Sequence, residues 1–272
     1  MLEVRWLGCA GLELNINNRV VLIDPYLSRP DLLQIIFGRL RPSPGIIRAY
    51  TEKLTGEVSA VICGHTHFDH ALDIPEIART LGCRVIGSKS LETLLDISGV
   101  SCRTLVCSGN ESIPLEEGIR VQMIPSGHGR VLLGRVPSPG EIDPSWKAPL
   151  RASQYRLGTM FMPKIETGDV TLVHAGSASF VESEIGDHRC DVLFMCVPGW
   201  KRIPEYTTRL VGILDPEVVI PFHFDDFTRP LSGSGDIRPI PFIDLKGFVE
   251  RVHRYSPGAV ILTPRTNEVM RF

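Results

Sequence analysis

His65-Thr66-His67-Phe68-Asp69-His70 follows the apolar run Val58-Ser59-Ala60-Val61-Ile62-Cys63 across a single glycine. The run reads as a buried strand, so the six residues sit where a strand ends and the backbone turns into a loop. Three imidazoles and a carboxylate at one strand end cannot all point away from one another. Histidine and carboxylate ligands together suit Zn²⁺ or another borderline divalent ion. Two histidines alone would read as surface residues of a polar loop. Four ligand groups within six positions read as a metal site.

The rest of the chain is compatible with an enzyme built around that site. At 272 residues it is long enough for one large layered α/β domain. A hydrophobic fraction of 43% with 22% charged residues is that of an ordinary soluble globular protein. The net charge of −2, without a basic block, argues against nucleic acid or an anionic membrane surface as partner. No apolar run approaches the length of a transmembrane helix, so stable membrane insertion is not expected. Met1–Trp6 alternates like a strand and lacks the apolar core of a signal peptide. Cys9, Cys63, Cys83, Cys102, Cys107, Cys190 and Cys196 form no C-x-x-C pair, and several lie in strand-like runs. They are read as free thiols in a reducing cytoplasm.

The order of elements suggests two similar passages. The first opens with strands at Glu3–Leu7, Leu12–Asn15 and Val20–Asp24, then a helical stretch, then the strand Val58–Cys63. Helix Ile74–Leu81, strand Arg84–Ile86, helix Leu91–Ile97 and strand Thr104–Cys107 follow. The second opens with strands at Ile119–Ile124, Tyr155–Met162 and Val170–His174. Strand Val192–Cys196, helix Glu205–Ile213, strand Val218–Ile220, helix Asp244–Val252 and strand Ala259–Thr263 complete it. Such a pattern, twice over, predicts two sheets packed face to face with helices outside, in one domain over residues 1–272 with two pseudo-equivalent halves.

Trp6-Leu7-Gly8-Cys9-Ala10-Gly11, Val21-Leu22-Ile23-Asp24-Pro25-Tyr26, His65–His70 and Val219-Ile220-Pro221-Phe222-His223-Phe224 occur in that order. Together they resemble the metallo-β-lactamase superfamily, over essentially the whole chain. Within it the chain most resembles the branch containing ascorbate-6-phosphate lactonase and the N-acyl phosphatidylethanolamine phospholipase D enzymes. The resemblance implies an α/β fold, the four-layer αββα sandwich, with metals in a cleft at the sheet edges. It implies that His65, His67 and a downstream histidine hold a first metal. His128, in Pro125-Ser126-Gly127-His128-Gly129, is the histidine so placed. Asp69 and His70, joined by His223, would hold a second. Three neutral imidazoles leave a tetrahedral ion one position for water, whose pKa falls to about 7. Asp69 would orient that water or act as general base.

One position departs from the family pattern. Related proteins usually carry an aspartate that bridges the two metals, and Val173-His174-Ala175-Gly176-Ser177 places Ser177 there. A missing negative charge leaves the repulsion between two dications less offset. The expectation is therefore one tightly bound divalent ion, zinc first with manganese or iron as alternatives, and a weak or empty second site. His174 is a substitute ligand only if strand alternation turns it inward. Asp24 either caps a turn or orients a ligand histidine from outside. His188 and His253 lie in charged surroundings and read as surface residues, and nothing in the sequence gives Cys9 a role.

Two inserted segments, near 29–54 and 129–153, are expected to cover the pocket. Leu32–Leu40 is a wide apolar helical face, read first as a cap on the core and otherwise as a lid for an acyl or aromatic group. Residues 129–153 follow His128 and offer Arg130, Arg135, Lys147 and Arg151 to a phosphate or carboxylate, and Trp146 to stack or pack. The function expected is that of a hydrolase using a metal-bound hydroxide on a phosphodiester, lactone or other ester-like bond of a small molecule. Two alternatives stand beside it. One is a mononuclear iron oxygenase of the same superfamily. The other is a catalytically weakened ligand-binding protein lacking the bridging aspartate.

Overall fold

The alternation of Leu2, Val4 and Trp6 with Glu3 and Arg5 buries one face of the first strand, as a two-residue period requires. A computed structural model describes residues 1–116, 118–131, 133–186, 188–231 and 237–272. Leu132, inside the second expected insertion, lies outside the described residues. β1 (Leu2–Gly8), β2 (Gly11–Ile16) and β3 (Arg19–Ile23) form an antiparallel meander. β4 (Glu57–Ile62), β5 (Val85–Gly87) and β6 (Thr104–Val106) then add in parallel.

The second sheet repeats this scheme. β7 (Ser112–Glu116), β8 (Ile119–Pro125), β9 (Phe161–Glu166) and β10 (Thr171–Ala175) are antiparallel. β11 (Val192–Cys196), β12 (Val218–Phe222) and β13 (Val260–Ile261) continue in parallel. β14 (Val269–Arg271) returns to pair antiparallel with β1, so each sheet has seven strands.

The helices are α1 (Leu32–Phe37), α2 (Pro44–Thr51), α3 (Phe68–Ala71), α4 (Ile74–Leu81) and α5 (Lys89–Ile97) in the first half. α6 (Glu182–Ile185), α7 (Tyr206–Leu214) and α8 (Leu245–Tyr255) follow in the second. Alternate residues divide the packing. Val21, Ile23, Ala60 and Ile62 face the core shared with the second sheet, while Val20, Leu22, Val61 and Cys63 pack toward α2, α4 and α5. Leu210, Leu214, Phe248 and Val252 of α7 and α8 close the other side. The result is the expected αββα sandwich.

Local differences from the expected elements have physical reasons. The strand expected at Tyr155–Met162 is β9, which begins at Phe161 and runs through Pro163 and Lys164. Lys164 is buried along its stem and pairs with Glu166 at 3.1 Å, so a charged residue occupies a strand interior that hydrophobicity alone does not reveal. β7 and β14 carry little apolar alternation because both lie at sheet edges, and β7 tolerates Pro114 for that reason. α1 buries none of its residues fully, and Leu33 and Phe37 are about 70% exposed, so the segment Leu32–Leu40 reaches the core only through half-buried Ile35 and buried Leu40.

Candidate metal centre

The parallel strands β3, β4, β10, β11 and β12 end along one cleft, the usual place for a ligand site in such sheets. Asp24 follows β3, His65–His70 follow β4, Ser177 follows β10 and His223 follows β12, while His128 arrives after the antiparallel β8. Cys9, Asp24 and His223 have left-handed φ of 49°, 46° and 64°. Such backbone is uncommon outside glycine and clusters at sites where side-chain aim outweighs strain.

A first pocket collects His65, His67 and His128, whose ligand atoms all lie within 4.8 Å of one another. His67 Nε2 lies 3.0 Å from the Pro137 carbonyl and His128 Nδ1 2.7 Å from that of Gly129. A nitrogen facing a carbonyl carries the proton, which leaves His67 Nδ1 and His128 Nε2 as free lone pairs. His65 Nε2 and His67 Nδ1 are 3.1 Å apart. Two nitrogens on one tetrahedral zinc are separated by about 3.3 Å, given zinc–nitrogen lengths of about 2.0–2.1 Å. Burial lowers all three pKa values, assisted by neighbouring imidazoles: His65 well below the ordinary range, His67 to about 4 and His128 to about 3. The three rings are thus neutral at pH 7, the form that ligates.

The second group differs in charge. Asp69 Oδ2 lies 3.3 Å from His223 Nε2 and 3.9 Å from His70 Nε2. Burial pushes Asp69 upward, but His70, His223 and His67 outweigh it and hold the carboxyl well below the usual carboxylate range. Asp24 does both things the sequence allowed. Its Oδ1 accepts the Gly64 N–H at 2.6 Å, and its Oδ2 lies 2.8 Å from His70 Nδ1. A Cβ at Gly64 would approach Asp24 Oδ2 to 3.0 Å, so glycine permits the close approach. Burial disfavours the charged form of His70, yet Asp24 and Asp69 together raise its pKa above the ordinary value. Ser177 Oγ accepts the Gly129 N–H at 3.0 Å and so braces the turn that carries His128. His174 Nε2 donates to the Ala10 carbonyl at 2.8 Å, and its ring lies in none of the groups of metal-ligating side chains found among the described residues.

Sequence reasoning passed over Cys9 and Asp225. The turn between β1 and β2 sets Cys9 Sγ 3.4 Å from His223 Nε2 and 3.6 Å from Asp69 Oδ2. Buried Asp225 holds that turn, accepting the Cys9 N–H at 2.7 Å and pairing with Arg29 at 2.7 Å. A Cβ at Gly8 would fall 2.0 Å from Arg29 Nη2, so only glycine fits beneath the ion pair. The sole local sign of this arrangement was Gly8-Cys9-Ala10-Gly11 itself, too short for any periodicity.

Over both groups opens a cleft of about 870 Å³. Leu32, Ile35 and Ile36 of α1 line it, with Val131, Val197, Trp200, Phe227 and Phe242. Of the four candidate cations only Arg151 lines it, and Lys201 and Arg202, not foreseen, join it there. Trp146 packs against the helical side of the first sheet. Exposed His253 and half-buried His188 line no part of the cleft.

A beta-lactamase superfamily domain model matches residues 3–223. A UPF0173 metal-dependent hydrolase of Anaeromyxobacter sp. strain K is 27% identical over 268 residues, 94% of this chain and 85% of that protein. Igni18, a metallo hydrolase of the archaeon Ignicoccus hospitalis, superposes with a TM-score of 0.65 at 18% identity, over 100% of this chain and 99% of that one. CmlA, a diiron β-hydroxylase of Streptomyces venezuelae, gives 0.63 at 14% identity, over 100% of this chain and 54% of that one. At such identities the two superpositions speak for the fold alone.

Proposed function

This chain belongs to the beta-lactamase superfamily, and on that footing we propose that it is a metal-dependent hydrolase of an ester-like bond in a small amphipathic molecule. What carries this reading is the convergence of His65, His67 and His128 on one point with their lone pairs free and their rings neutral. The nitrogen donor set fits zinc, with manganese or iron as alternatives. His65 Nδ1, buried without a partner, leaves that ring free to turn toward an ion. These three residues would hold the tightly bound ion. Asp69, His70 and His223 would hold a second more weakly, since Ser177 stands where a carboxylate would offset the second charge. A divalent ion here supplies Lewis acidity and makes water a nucleophile near neutral pH.

The chain's own groups do the rest. Asp69, ionised at neutral pH, is the group that would orient the attacking water. Arg151, Lys201 and Arg202 hold an anionic group of the substrate. Ile35, Ile36, Trp200 and Phe242 receive its apolar part and exclude water. Residues 1–272 then act as one domain, the segments near 29–54 and 129–153 covering the cleft. Seven free cysteines suit a reducing compartment. No helix among the described residues is long and apolar enough to cross a membrane.

A screen of zinc-loaded protein against aryl phosphodiesters, lactones and aryl esters of increasing acyl length tests the proposal. Turnover that depends on zinc and rises with acyl length is expected, and His67→Ala abolishes it. Metal-loaded protein that turns over none of the three classes would sink it.

A further inference from the structure

Cys9, Asp69 and His223 present three different ligand atoms to a single point. Their separations are 3.4 Å from Sγ to His223 Nε2, 3.6 Å from Sγ to Asp69 Oδ2 and 3.3 Å from His223 Nε2 to Asp69 Oδ2. For a tetrahedral zinc with a zinc–sulfur length of about 2.3 Å and nitrogen and oxygen at about 2.05 Å, the corresponding edges are about 3.6, 3.6 and 3.3 Å. The triangle is one face of such a tetrahedron. Hydrogen bonding alone does not demand it, since a thiol needs one acceptor and Cys9 already has the Asp69 carbonyl at 3.4 Å.

Two further observations point the same way. The turn is held from outside by Asp225 and Arg29, which fix the Cys9 backbone without touching its sulfur. The Tyr26 hydroxyl is fully buried with no hydrogen-bond partner, and its ring meets that of Phe68, the residue before Asp69, edge-on at 6.2 Å.

We propose that Cys9 is a metal ligand, supplying its sulfur to the second ion together with Asp69 and His223 in place of the carboxylate absent at Ser177. This rests on the reading of the cleft as a metal centre. Ligation replaces the Sγ–H bond by a sulfur–metal bond, the proton leaving to solvent. A thiolate makes the second position selective for a thiophilic ion such as zinc over manganese or magnesium. The two ions then differ in kind: imidazoles alone hold the first, and sulfur, oxygen and nitrogen hold the second.

Cobalt(II) replaces zinc as a visible probe. Metal-free protein is titrated with cobalt(II) under anaerobic conditions while the near-ultraviolet spectrum and the bound equivalents are followed. A thiolate-to-cobalt charge-transfer band that grows with the second equivalent is expected. In Cys9→Ser the band disappears and the affinity for the second equivalent falls by more than about 100-fold, beyond the 10–100-fold typical of residues that support ligands from outside. The wild-type band is a test in itself should the variant fold poorly. Two equivalents without the band, or one equivalent and no band, overturn the role of Cys9 and leave the three-histidine site standing. A band with the first equivalent keeps the thiolate ligand and reverses the order of filling. No bound cobalt at all overturns both readings.

Discussion

The two halves of the cleft floor solve the same problem with opposite materials. His65, His67 and His128 form a pocket without a carboxylate, where burial keeps the rings neutral and backbone carbonyls of Pro137 and Gly129 fix two of the tautomers. Asp69, His70, His223 and Cys9 form a pocket of mixed charge, in which Asp24 draws His70 toward its protonated form. The first is ready for a cation and gives up no proton to bind one. The second must lose protons before it can bind. On the proposed reading a cleft built this way would fill unequally, and the difference would lie in the protein rather than in the ion.

The comparison breaks most readily at His67. His67→Ala removes one of the three imidazoles whose ligand atoms meet in the first pocket. Loss of the tight ion and a fall in hydrolysis of more than about 100-fold are expected, exceeding what supporting residues contribute. Metal content by plasma mass spectrometry, alongside turnover, measures both. Retention of a full equivalent by the variant would mean that the tight ion lies with Asp69 instead, and the contrast drawn above would be inverted.

Asp24→Asn sharpens the contrast from the other side. The amide can still face His70 Nδ1 and Gly64 but no longer carries the charge that raises the His70 pKa. Affinity for the second ion should fall by about 10–100-fold, as for other carboxylates behind a ligand histidine, with the first ion unaffected. Equal losses at both positions would show that Asp24 chiefly holds the turn after β4.

The two pockets also part company with pH. An imidazolium has no lone pair to give, so protons compete with the ion at each site. The His70 pKa is raised above its ordinary value of 6.5, whereas those of His67 and His128 are pushed down to about 4 and about 3. As pH falls, the second ion is lost first, through the range in which His70 gains its proton. The first is kept until near pH 4, where His67 follows. Equilibrium dialysis between neutral pH and about pH 4.5 should therefore yield a species with one ion, since only the pocket that must shed a proton empties there. Simultaneous loss of both ions would contradict the assignment of separate pockets.

How much of this was legible follows the same division. The contiguous histidines and aspartate of His65–His70 announce themselves as candidate ligands, because one strand end presents them all. The sheets were legible too: Val20–Asp24 and Val58–Cys63 are short apolar runs of the kind that a strand buried on both faces requires. His128 and His223 were reached only through family resemblance, since nothing local distinguishes a ligand from a structural histidine. Cys9 was noticed but given no role, and Lys201 and Arg202 were not reached at all. Their positions come from contacts between segments far apart in the chain, such as the brace of Asp225 and Arg29 under Gly8-Cys9. The apolar face of α1 was visible, but periodicity says that a face is apolar and not what covers it.

That face gives the smallest effect and the cleanest control on the pockets. Ile36 is 56% exposed and lines the cleft. Ile36→Ser should leave folding stability within about 0.5 kcal/mol, as for other surface changes, and both ions in place. If an acyl group of the substrate lies against α1, the change removes about 1 kcal/mol of apolar burial, a fraction of the roughly 1.5–3 kcal/mol for a fully buried side chain. That corresponds to a roughly fivefold rise in KM for long-chain esters, with KM for short ones and kcat for both unchanged. A KM that rises equally for short and long esters would remove α1 from the binding of the apolar tail, leaving the metal pockets as the only determinants of what this cleft accepts.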